Sequence, residues 1–179
     1  KMVDFGLAKR VLNRTFTVCG TARYCSPEML TGSGHNQSTD FWSLGVFMYE
    51  CLYGTSPFKD NCSDLRLFQN VTSGTFQIPN TVSTTPECTN MINGLLTKKP
   101  ISRLGGVGLN GAGIILKHEW FHGFDIQALI DQKMVPPDGK PKPFNVDTYP
   151  FPNYDTSMHS NMNNYNPNND KYRGWDEVF

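Results

Sequence analysis

Four short stretches hold residues whose types could do chemistry together. They are Asp4-Phe5-Gly6, Ser26-Pro27-Glu28, Asp40 at the head of an apolar run, and Arg103 in Pro100-Ile101-Ser102-Arg103. Between the first two lie the cations Lys9, Arg10, Arg14 and Arg23 and the hydroxyls Thr15, Thr17 and Thr21. Cations and hydroxyls can hold dense negative charge directly, and a carboxylate can do so through a bound metal. Taken singly, each has a plain reading: a surface turn for Asp-Phe-Gly, a solvated face for the basic residues. A fifth stretch, Gly106-Val-Gly108-Leu-Asn-Gly111, fits the phosphate-cradling pattern G-x-G-x-x-G. That pattern works when it follows a strand, and here polar Lys98-Lys99-Pro100 come before it, so it reads as a glycine-rich connector. The five cysteines Cys19, Cys25, Cys51, Cys62 and Cys88 make no C-x-x-C pair and have no histidine cluster. They read as reduced thiols rather than a zinc site.

The elements that must position these residues are mostly helical. Asp40 to Tyr53 is apolar nearly all round, which suits the centre of a core; Ser38 or Thr39 can cap its start and Gly54 can end it. Ser63 to Thr72 places Leu65, Phe68 and Val71 on one face. Thr85-Pro86 offers a cap followed by proline at the first helical position, ahead of a Cys88, Met91, Ile92, Leu95 stripe. Ile114 to His118 and Ile126 to Gln132 are shorter candidates, and Lys1 to Asp4 carries the one strand signal. Of 179 residues, 38 % are hydrophobic and 18 % charged, with Lys+Arg and Asp+Glu both 16. Net neutrality gives no electrostatic case for a nucleic-acid or anionic-membrane partner. No apolar run is long enough to span a bilayer. After about residue 132 the chain turns proline-rich and then Asn-dominated, a composition that cannot fold by itself. Asn13, Asn36, Asn61 and Asn70 head N-x-Ser/Thr triplets, which an Asn-rich chain produces by chance. With no signal-peptide pattern, the expected location is cytoplasmic.

The ordered set Asp4-Phe5-Gly6, Ser26-Pro27-Glu28, Asp40 and Arg103 resembles the C-terminal half of a protein kinase, where D-F-G and A-P-E bracket the activation loop. Thr17-Val-Cys19-Gly20-Thr21 resembles the branch that holds the cyclic-nucleotide-dependent (AGC-type) kinases, and the Gly174-Trp175-Asp176-Glu177-Val178-Phe179 end is similar to that of cGMP-dependent kinases. The resemblance implies the helical C-terminal lobe of the kinase fold over residues 1–121, and the extended C-terminal tail over 122–179. It implies a serine/threonine kinase that transfers the γ-phosphoryl of ATP, with Mg2+, to protein substrates. Asp4 would be the catalytic carboxylate that holds ATP through the metal. Thr21 would bond the catalytic base, and Thr17 would be phosphorylated beside Lys9. Val18, Tyr24 and Cys25 would shelve the substrate. Glu50 would meet a substrate arginine, with a helix-surface acid as the alternative. Glu28 and Arg103 would form a buried bidentate pair, and Asp40 would bond the catalytic-loop backbone.

Two departures bear on substrate choice and loop sequence. Ala22-Arg23 stands where this branch commonly has Pro-Glu, and Ser26 where it has Ala. Val146 replaces the tail's usual phenylalanine, which puts a nucleotide contact there in doubt. The sequence holds no H-R-D-x-x-x-x-N loop, β3 lysine or glycine loop ahead of Asp4. The expectation is therefore a fragment, inactive alone, whose partners are its own N-lobe and a regulatory cyclic-nucleotide-binding domain outside this chain. The alternative is a short product acting as a non-catalytic binding module.

Overall fold

The computed structural model describes residues 3–58, 64–80, 82–108 and 110–135. Within them the chain forms six α-helices and no sheet: α1 (Pro27–Leu30), α2 (Ser38–Tyr53), α3 (Asp64–Ser73), α4 (Pro86–Leu95), α5 (Gly111–Leu116) and α6 (Ile126–Ile130). This is the mostly α architecture that the resemblance implies. The tail residues beyond 135, Val146 and the Gly-Trp-Asp end included, lie outside the described residues, as do Ser63 and Cys62.

The chain divides into two compact units, Lys1–Asp125 and Ile126–Phe179. In the first, α2 is the central element. Trp42, Val46 and Tyr49 recur on one side of it and meet Phe58, Leu67 and Val71 of α3, and Cys88, Ile92 and Leu96 at α4. Trp42 and Phe58 stack at 5.2 Å. A second cluster of Met91, Leu95 and Ile115 takes in Phe41, Leu104 and Phe121. Gly45 lets α2 and α4 approach closely: a Cβ there would sit 2.8 Å from Leu95 Cβ. In the second unit, α6 leaves Leu129 and Ile130 exposed, and Gln127 Nε2 donates to Asp131 Oδ1 at 2.8 Å.

Local sequence explains most helix ends. Thr85 Oγ1 accepts from Cys88 N at 3.2 Å, and Pro86 opens α4, so cap and proline act as the sequence suggests. Gly54 closes α2 with φ 70°. The start of α2 differs from expectation. The helix begins at Ser38, and neither Ser38 nor Thr39 caps it; Asn36 Oδ1 accepts from Ser38 N at 3.1 Å. Ser38 and Thr39 are instead buried in the first turn, where packing against α1 outweighs their capping preference.

Three further expectations need correction. In α3 the buried pair is Leu67 and Val71, one turn apart, while Leu65 and Phe68 face outward. The α5 helix lies at Gly111–Leu116 rather than from Ile114 on; Gly111 can start it because a Cβ there would meet Gly105 O at 2.2 Å. Val3 and Asp4 are not in a strand, and the one bridge among the described residues joins Thr15 to His35. Nor is α2 covered all round: Leu44, Phe47 and Cys51, on one stripe, are exposed.

Candidate functional site

The segment from Asp4 to Glu28 is held to the helical core at three levels. Lowest is an ion pair. Arg103 Nη1 donates to Glu28 Oε1 at 2.7 Å and Nη2 to Glu28 Oε2 at 2.9 Å, a bidentate fork with both side chains buried. The remaining donors of Arg103 go to carbonyls of Ser38, Thr97 and Lys98. Its guanidinium lies 5.1 Å over the Trp42 ring. Thr39 Oγ1 adds a bond to Glu28 Oε1. Burial pushes the Glu28 carboxyl up, but the Arg103 hydrogen bonds and charge overcome it and leave the pKa below its ordinary value.

The second level is the turn Ala22–Tyr24. Ser43 Oγ of α2 donates to Tyr24 O at 2.9 Å, and Tyr24 Oη donates to Glu50 Oε2. That bond first, then burial, raises the tyrosine pKa above 10.0. Arg23 Nη1 approaches Glu50 Oε1 at 4.0 Å. Glu50 is thus no bare surface acid: it is held by a phenol and accompanied by a cation. Arg23 and Glu50 border an open groove with Thr55, Phe76 and Gln77. Cys25 is buried under Thr21 O, and burial raises its thiol pKa. Val18 stays exposed.

The third level is the loop. Thr15 and His35 exchange backbone hydrogen bonds at 2.8 and 2.9 Å, pinning the loop to the connection before α2. Lys9 Nζ donates to Thr15 Oγ1 at 3.2 Å, and Thr15 Oγ1 donates to Thr17 Oγ1 at 3.5 Å. Lys9 therefore stands one hydroxyl away from Thr17. Asp4 is exposed, has φ 63°, and accepts from Gly6 N at 3.3 Å. An aspartate tolerates that left-handed conformation because its side chain closes such a turn. No hydrogen bond among the described residues joins Asp4 to Lys9, Thr17 or Thr21. The Asp40 carboxyl reaches solvent, yet protein crowding on one side raises its pKa, partly offset by nearby His35.

Sequence reasoning missed three of these contacts. The Thr15–His35 bridge and the Thr39–Glu28 bond join residues with no periodic relation. The Arg23 approach to Glu50 depends on a turn whose direction local sequence does not set.

The protein kinase domain family matches residues 1–121. The chain belongs to that family. It is an AGC-type kinase chain, similar to the cyclic-nucleotide-dependent members. The cGMP-dependent protein kinase egl-4 of Caenorhabditis elegans is 35 % identical over 188 aligned positions, which cover 100 % of this chain and 22 % of that protein. The human cAMP-dependent protein kinase catalytic subunit PRKX is 33 % identical over 162 residues, 88 % of this chain and 44 % of that one. Protein kinase 2 of Dictyostelium discoideum is 40 % identical over 144 residues, 79 % of this chain and 28 % of that one. The kinase chain thus spans less than half the length of these relatives. Among the described residues no helix is long and apolar enough to cross a membrane.

Within this kinase chain, Asp4 suits magnesium as a single exposed, hard oxygen ligand. No cluster of three His, Cys, Asp or Glu residues capable of holding a metal exists among the described residues. Asp4 can supply one ligand of such a site and not the whole of it.

Proposed function

We propose that this chain is the C-lobe and tail of a serine/threonine kinase that moves the γ-phosphoryl group of ATP to protein hydroxyls. The observation that carries this is the buried Glu28–Arg103 fork. It fixes the far end of the segment that Asp4 opens, inside the stretch the kinase family matches. Magnesium, when bound, would neutralise charge on the transferring phosphates. The residues here have separate tasks. Asp4 would hold the metal through its carboxylate. Thr17, when phosphorylated, takes Lys9 as counter-charge in place of the Thr15 hydroxyl. Thr21 bonds the catalytic base, and Asp40 the backbone beside it. Residues 18–25, with Val18, Tyr24 and Cys25, form the shelf under the substrate residue that follows the phosphoacceptor. The base itself belongs to an H-R-D-x-x-x-x-N loop that these 179 residues do not contain.

Substrate choice follows from Glu50. A substrate arginine reaching it must compete with Tyr24 and Arg23, so selection for basic peptides is weaker than a bare glutamate would give. Control by cGMP through a separate domain is supported by the similarity of egl-4 over the whole chain and by the Gly-Trp-Asp-x-x-Phe end. The exposed Leu44, Phe47, Cys51 stripe suits docking of the remaining kinase segments. The same stripe would serve a partner helix if the chain were a non-catalytic binding module.

The test is peptide phosphorylation by the complete kinase carrying this lobe. Asp4→Ala abolishes transfer with an unchanged melting temperature, and Thr17→Ala lowers it. Wild-type turnover with Asp4→Ala refutes the metal role, and no turnover in the complete wild-type protein favours the binding module.

A further inference from the structure

Away from the Glu50 groove, the chain has an open cavity of about 700 Å³ between α1, the end of α3 and the Lys98-Lys99-Pro100 turn. Its lining includes Arg14, Lys98 and Lys99 and one acid, Glu28. The acid is already consumed, because both Glu28 oxygens bind Arg103. Arg14, Lys98 and Lys99 have no ion pair among the described residues. The cavity is therefore cationic, with no available acid to offset it. Around the cations stand neutral hydrogen-bonding groups such as Thr31, Ser33 and Gln69.

Ser38 supplies the second observation. It lines the same cavity, is 1 % exposed, and its Oγ has no hydrogen-bond partner among the described residues. A buried hydroxyl without a partner costs free energy that a ligand acceptor can recover. Basic side chains and an unsatisfied donor at one cavity call for a ligand rich in charge and acceptors. A phosphoryl monoester brings close to two negative charges and three acceptor oxygens. The volume leaves room for neighbouring residues beside that group.

We propose that this cavity binds the phosphoryl group of a phosphorylated peptide, as a docking site separate from the phosphotransfer machinery. It does not rest on the catalytic reading, since none of Asp4, Thr17 or Glu50 lines it.

Fluorescence anisotropy on the full chain tests this. The probes are a short labelled Gly/Ala peptide with one central phosphoserine, its unphosphorylated twin, and inorganic phosphate as competitor. The phosphopeptide is expected to bind about tenfold or more tightly than the twin, the loss expected for removing a charge-assisted contact. Lys98→Gln and Lys99→Gln each weaken it several-fold, and Lys117→Gln, an exposed lysine outside the cavity, leaves it unchanged. Ser38→Ala weakens binding without lowering the melting temperature, because a partnerless hydroxyl contributes nothing to the fold. If the lysine variants fold poorly, Arg14→Gln in the exposed loop carries the same comparison. Equal affinity for the twin overturns the proposal. So does an equal loss in Lys117→Gln, unchanged binding by Ser38→Ala and the lysine variants, or inorganic phosphate matching the phosphopeptide.

Discussion

Replacing Arg103 by leucine is the sharpest test of how the Asp4–Glu28 segment is held. The guanidinium makes five hydrogen bonds, three of them buried: two to Glu28 and one to Ser38 O. The bonds to Thr97 O and Lys98 O are part-buried, so water can replace the donors there. What water cannot reach is the Glu28 carboxylate, 6 % exposed and left with neutral donors such as Thr39 Oγ1. Removing one partner of such a pair costs about 3–5 kcal/mol. The variant has an escape, which is to protonate Glu28. Taking up a proton at pH 7 on a group whose ordinary pKa is 4.5 costs roughly 3.4 kcal/mol. The two figures agree, so the loss should fall near the lower end of the range and shrink by about 1.4 kcal/mol per unit as the pH drops from 7 towards 5. Urea unfolding of the full chain at several pH values measures it. A double Glu28→Leu, Arg103→Leu variant should recover much of the loss, because no charge is then stranded. A deficit under about 1 kcal/mol at pH 7, or one that does not change with pH, would show that the fork is not what anchors the segment.

Four further outcomes follow from single contacts. In the wild-type chain the depressed Glu28 pKa contributes stability that is complete above the ordinary value of 4.5 and lost as pH falls through the folded value; Glu28→Gln should lack that acid-side decline in urea midpoints. Gly45→Ala drives a Cβ to 2.8 Å from Leu95 Cβ, so it should destabilise by about 1–3 kcal/mol in thermal unfolding, although alanine is the better helix former. Thr85→Ala removes the cap of α4 and should cost about 1 kcal/mol by the same measurement, with Thr85→Ser close to wild type. In the complete kinase, Arg23→Glu should raise the preference for arginine-containing over alanine-containing peptides about two- to fivefold. The effect is small because Arg23 is half exposed and 4.0 Å from Glu50, and a preference that falls would falsify the competition.

The sequence was legible where one short-range rule governs a position. Thr85-Pro86 begins α4 and Gly54 ends α2, as their types dictate. The Glu28–Arg103 pair was named through the kinase resemblance alone, since no local rule joins residues 75 positions apart. The α2 start was misread because two rules compete there: Ser38 and Thr39 are good caps, but Thr39 is needed against Ser26 Oγ, 3.1 Å away, and against Glu28. The α3 face was misread for a related reason. Leu65 and Phe68 are as apolar as Leu67, and only the position of the packing partners, α1 and the α2 core face, decides which side is inside.

Glu50 shows where local pattern stops. Its place on α2 follows from helical spacing, but what its carboxylate does is set by a three-residue turn 26 positions upstream that brings Tyr24 to it. An acid in the same register with a glutamate in place of Arg23 would present its charge outward. With arginine there, the same backbone presents a partly neutralised pair. The fold places the carboxylate, and one exposed side chain outside the helix sets how much of its charge a substrate can use.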